Sequence, residues 1–154
     1  MVLLLRHASA GERLSSPDLD RERSLDAVGR VDARRLPETL AGYVFDRIVT
    51  SPYPRCVETV GPLAARLGVR VELLDELAPG APARLVGGIL DELRHDSVLA
   101  CTHREAFEAL FGGGVTCDKG GGWILERRRV GWHPVTYVAP PSDPRRAAVL
   151  AGSR

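Results

Sequence analysis

The chain has 154 residues, 44% of them hydrophobic and 27% charged, and its 21 basic and 20 acidic side chains give a formal net charge of +1. These proportions fit one soluble globular domain with its own core and exclude a disordered or membrane-embedded chain. A charge this close to zero gives no electrostatic case for a nucleic acid or an anionic membrane as partner, so any anion site has to be local.

Val2–Leu5 is an unbroken apolar run followed at once by polar residues and Gly11, the pattern of a central strand covered on both faces that feeds a loop holding Arg6 and His7. After a polar stretch, Glu12–Arg23, a helix is expected from Ser24 as N-cap, with Leu25, Val28, Leu36 and Leu40 on one stripe and Pro37 near its end. Arg47–Thr50 reads as a second strand. Ser51-Pro52-Tyr53-Pro54 then supplies a turn and a helix start, Cys56, Val60, Leu63 and Leu67 form the buried stripe, and Gly68 stops the helix. Val69–Leu73 is the third strand, Pro79-Gly80 turns into a helix through Leu93, and Ser97–Thr102 is a fourth strand ending at His103. Glu105–Phe111 is a short helix closed by glycines, and Trp123–Glu126 and Val135–Val138 are two further strands. Residues 1–139 form the expected domain; 140–154, rich in proline, serine and arginine, read as a C-terminal tail with little to bury.

Alternating strands and helices predict an α/β fold, an open and mainly parallel sheet with helices on both faces. Such sheets bind ligands beyond the carboxyl ends of their strands. Arg6-His7, Arg55, Glu76 and His103 each follow a strand by a few residues and are expected to converge on that rim.

A neutral histidine nitrogen can attack phosphorus, so His7 is the candidate nucleophile, and Arg6, Arg55 and a protonated His103 can balance the charge on the transferred phosphoryl oxygens. A poor leaving group needs a proton that arginine cannot give, which makes Glu76 or Asp75 the candidate acid. The sequence has four histidines, no paired metal-ligand spacing and no carboxylate cluster, so no metal and no cofactor are expected. His95 at a helix end and His133 before a proline read as structural. Cys56, Cys101 and Cys117 are an odd set without CxxC spacing, which fits a reducing cytoplasm. The apolar start is too short for a signal peptide and no later run spans a bilayer, so the expected location is cytoplasmic.

Leu3-Leu4-Leu5-Arg6-His7-Ala8-Ser9-Ala10, Ser24–Arg30, Ser51–Thr59 and Thr102-His103 together resemble, in order, the motifs of the histidine phosphatase superfamily, which includes the phosphoglycerate mutases. The resemblance implies a phosphoglycerate mutase-like fold, a phosphohistidine intermediate at His7, and a phosphate pocket of Arg6, Arg55 and His103. Ala8, where most members carry glycine, resembles the small SixA-type phosphohistidine phosphatases; Arg104-Glu105 departs from the small residues or proline more usual after that histidine. The short interval from Arg55 to Glu76 leaves no room for a large cap insertion, which implies an open pocket and a substrate such as phosphohistidine on a protein. Ala8-Ser9-Ala10-Gly11 and Lys119–Trp123 are also similar to the phosphatase-like domain attached to MutT-type Nudix hydrolases. That similarity makes a nucleotide or another small phosphate ester the alternative substrate, with Ser9 and Lys119 as added substrate contacts. A non-catalytic phosphate-binding module is the third reading. The sequence leaves the oligomeric state open.

Overall fold

The computed structural model describes residues 1–146. Its six strands, β1 (Val2–Arg6), β2 (Arg47–Thr50), β3 (Val71–Leu73), β4 (Val98–Thr102), β5 (Gly122–Arg127) and β6 (Trp132–Val138), form one open sheet in the order β3-β2-β4-β1-β5-β6. The first four run parallel; β5 is antiparallel to β1, and β6 to β5. Successive side chains of a strand point to opposite faces. Val2, Leu4, Val98 and Ala100 therefore pack on one side with Val86, Leu90 and Leu93 of α4 (Ala83–Leu93) and Phe107 of α5 (Arg104–Phe111). Leu3, Leu5, Leu99 and Cys101 pack on the other with Leu36 of α2 (Ala27–Thr39) and Cys56, Val60 and Leu63 of α3 (Pro54–Leu67). This is the expected open sheet covered by helices on both faces. Between Arg55 and Glu76 the chain contains only α3, β3 and short connections, with no cap.

Several expectations need correction. A short helix, α1 (Pro17–Arg21), interrupts the polar stretch: the Ser16 hydroxyl accepts from the Leu19 amide, and Pro17 opens the first turn, where its missing N–H costs nothing. The N-cap of α2 is Asp26, whose carboxylate accepts from Gly29 N at 2.8 Å, rather than Ser24. That later start rotates the buried face to Gly29, Asp32, Ala33 and Leu36 and leaves Val28 57% exposed. Leu67, in the last turn of α3, is likewise exposed, while Gly68 takes the left-handed conformation (φ 66°) that closes the helix. β6 begins at Trp132, so His133 lies in an edge strand instead of a turn. A register shift against Ile124/Leu125 accommodates Pro134, which cannot donate to a regular ladder. Beyond β6, Pro140 is buried and the Ser142 hydroxyl donates to Asp32 Oδ2 at 2.9 Å, so 140–146 fold back on α2. The rest of the expected tail, 147–154, lies outside the described residues.

Candidate active site

β1 and β4 are adjacent and parallel, with Arg6 opposite Thr102. His7 and His103 therefore leave the sheet side by side: the His7 amide donates to Thr102 O at 3.0 Å and the two rings meet edge-on, 5.2 Å between centroids. Arg55, in the first turn of α3, arrives from the end of the neighbouring strand β2. These side chains line a cavity of 220 Å³ with Gly11, Arg13, Arg23, Arg104, Glu105 and Lys119.

The loop carrying His7 is pinned from three sides. The Ala8 amide donates to Thr59 Oγ1 (3.0 Å), the Ser9 hydroxyl to Asp26 Oδ2 (2.6 Å), and the Gly120 amide to the carbonyls of Arg6 and His7 (3.1 and 3.0 Å). Gly29 lets α2 approach this loop, because a Cβ there would lie 1.9 Å from Ser9 O. Gly29→Ala is expected to push the loop away at a cost of about 1–3 kcal/mol and to depress turnover along with it. A thermal melt and a kcat unchanged from wild type would contradict this.

His7 Nδ1 lies 2.7 Å from Ala8 O. A carbonyl can only accept, so Nδ1 carries the hydrogen and Nε2 keeps its lone pair. Burial pushes the His7 pKa down; the Ala8 carbonyl offsets part of this, while Arg55, Arg6 and Arg23 push further, to about 4. His103 is 1% exposed, with Nε2 2.8 Å from Ser51 Oγ. Burial first, then His7, Arg55 and Arg23, bring it down to about 2, so in the free protein it is neutral rather than protonated as expected.

Both histidines bind fewer protons folded than unfolded between these values and their ordinary 6.5. Unfolding free energy therefore rises with pH across that window, and stability falls as pH drops below 6.5, by roughly 1.4 kcal/mol per unit for each ring. Urea midpoints should be lower at pH 5 than at pH 7, and the difference should shrink in His103→Gln. Equal wild-type midpoints would contradict the buried neutral rings.

Arg6 donates from Nη1 to Cys117 O at 2.8 Å, and Arg55 from Nη1 to Asp20 O at 2.8 Å. The Nε of each is buried without a hydrogen-bond partner among the described residues. Asp20, on α1, is the residue that the sequence reading missed: its carboxylate is 3.6 Å from Arg55 and 3.0 Å from Arg23 and accepts from the Leu14 amide at 2.8 Å. The Ser-Pro start of α1 was the available signal. Thr59, which accepts from Ala8 and donates to Arg55 O, was also passed over; it stands one helical turn after Arg55.

The structure thus brings Arg6, His7, Arg55, His103 and Lys119 together. Ser9 is not among the cavity's lining residues; its hydroxyl is committed to Asp26. Glu76 and Asp75 sit on a 3-10 turn (Asp75–Leu77) and do not line the cavity either, whereas Glu105 does, paired at 3.1 Å with Arg13. Among the described residues no cluster of three or more His, Cys, Asp or Glu is arranged to hold a metal, and no helix is long and apolar enough to cross a membrane.

The fold is similar to that of SixA, a protein histidine phosphatase solved with tungstate (TM-score 0.74, 21% identity, 91% of this chain and 96% of that one). It is also similar to that of the putative phosphohistidine phosphatase SixA from Agrobacterium tumefaciens (TM-score 0.71, 23% identity, 90% and 97%). In sequence the chain is 27% identical over 159 residues to an 8-oxo-(d)GTP phosphatase of Mycolicibacterium smegmatis; the match covers 92% of this chain and spans about half, 49%, of that relative. The sequence model of the histidine phosphatase superfamily (branch 1) matches residues 2–79, the half of the chain that carries Arg6, His7 and Arg55, and the chain belongs to that superfamily.

Proposed function

We propose that the chain is a metal-independent phosphatase that transfers a phosphoryl group to His7 Nε2 and then to water. The observation that carries this reading is the Nδ1–Ala8 carbonyl bond, which leaves Nε2 as the basic nitrogen in a cavity lined by Arg6 and Arg55. A P–N bond forms as the bond to the leaving group breaks. Water then attacks phosphorus, the P–N bond breaks, and Nε2 recovers its lone pair as inorganic phosphate departs. Arg6 and Arg55 line the cavity beside His7 and supply the charge that a metal would otherwise carry. His103 lines the same cavity, its Nε2 held 2.8 Å from Ser51 Oγ.

The open cavity and the likeness to SixA support phosphohistidine on a protein as substrate, since its imidazole leaving group needs little acid assistance from the chain. The second reading, a nucleotide or another small phosphate ester, is supported by the name of the mycolicibacterial relative and by Lys119 at the cavity. The test is hydrolysis of an aryl phosphate with and without EDTA, followed by a phosphohistidine protein and by nucleotides. Turnover insensitive to EDTA is expected. No turnover of any of them would leave a phosphate-binding module instead.

A further inference from the structure

Six of the residues lining the cavity carry a permanent positive charge, Arg6, Arg13, Arg23, Arg55, Arg104 and Lys119, against one carboxylate, Glu105. The whole chain has a formal net charge of only +1, so positive charge is concentrated here and the remainder of the molecule is net negative. One phosphoryl group at His7 engages Arg6 and Arg55, while Arg23 is held by Asp20 and by the carbonyls of Ala10 and Gly11. Arg13, Arg104 and Lys119 are then more cation than a single phosphate needs.

These three come from separate segments: the loop after β1, the first residue of α5, and the loop before β5. Arg13 and Arg104 are 67% and 59% exposed, and their ion pairs with Glu105 (3.1 Å) and Glu108 (3.3 Å) are of the solvated kind that contributes little and exchanges readily for a better anion. Lys119 has no ion pair among the described residues. Its backbone is fixed all the same, because the next residue, Gly120 (φ 83°), is bonded to the carbonyls of Arg6 and His7. Since all three line the same small cavity as His7 instead of spreading over the outer surface, the second negative charge that they await belongs to the same small ligand.

We propose that the substrate carries a second phosphate next to the one transferred, as in a di- or triphosphate chain, and that Arg13, Arg104 and Lys119 form the subsite for it. The proposal rests on the phosphatase reading for His7 and deepens its second substrate reading, naming a polyphosphate ester as the class.

Calorimetric binding of inorganic phosphate and of pyrophosphate tests it without requiring turnover. Pyrophosphate should bind the wild type at least roughly tenfold more tightly; Lys119→Ala and Arg104→Ala should each weaken pyrophosphate roughly tenfold and leave phosphate within about twofold, the loss of one charge-assisted contact. Arg34→Ala, at an exposed position on α2, controls for the overall charge. A preference for pyrophosphate untouched by both variants, or an equal loss for the two anions, would overturn the subsite and leave general steering, such as of an acidic protein surface. A nucleoside diphosphate binding more tightly than pyrophosphate would place an organic group beyond the second phosphate; equal binding would restrict recognition to the phosphates. Failure of the phosphatase reading looks different: no turnover, with the binding pattern intact.

Discussion

His7→Ala is expected to lower turnover of any phosphorylated substrate by roughly four orders of magnitude or more, the scale at which loss of a nucleophile acts. The reason is local. Nε2 is the atom that the Ala8 carbonyl leaves basic, and the other imidazole lining the cavity among the described residues, His103, has its Nε2 engaged with Ser51. Folding and phosphate binding should survive, because Arg6 and Arg55 keep their own contacts with Cys117 O and Asp20. Inorganic phosphate should therefore still raise the thermal midpoint of the variant. Retained turnover would remove the nucleophile assignment; lost phosphate protection would mean that the substitution damaged the pocket as a whole.

Arg55→Ala should lower kcat/KM about 10²–10³-fold, as removal of one fixed donor aimed at developing charge does, and should also destabilise the fold. Arg55 is 2% exposed and tied to Asp20 through both the carboxylate and the main-chain carbonyl. Breaking a buried pair costs about 3–5 kcal/mol, and the lower end is expected because Arg23 still holds Asp20. Arg55→Lys should rescue much of the stability and little of the activity, since an ammonium cannot reach Asp20 and present a planar donor to phosphate together. Melting curves and kcat/KM measured on the same samples separate the two effects. Full activity in the lysine variant would contradict the geometric role.

The parallel strands were legible because doubly covered strands read as continuous apolar runs: Val2–Leu5 and Val98–Thr102 are buried throughout. Convergence on the rim followed from topology, and it holds for Arg6, His7, Arg55 and His103. What escaped the reading depends on how segments dock. Ser24 and Asp26 are both competent caps two residues apart, and only the bond to Gly29 N selects the second. Asp20 gains its meaning once α1 lies against the first turn of α3. Glu76 follows a strand as required, yet its 3-10 turn directs Leu77 into the core beside Val86, while Glu105, two residues past His103, reaches the cavity. Histidine beside phosphate chemistry suggests an imidazolium for His103, whereas in the free protein burial, with His7, Arg55 and Arg23 close by, pushes its pKa down.

The central claim is that phosphorus passes through a covalent bond to His7. Rapid acid-free quench of the enzyme with excess aryl phosphate, followed by peptide mass spectrometry and ³¹P NMR, addresses it directly. The account predicts one phosphoryl group per chain on His7 nitrogen, stable in base, labile in acid and absent from His7→Ala. Turnover with no phosphoenzyme detectable, or phosphate found on another residue, would contradict it.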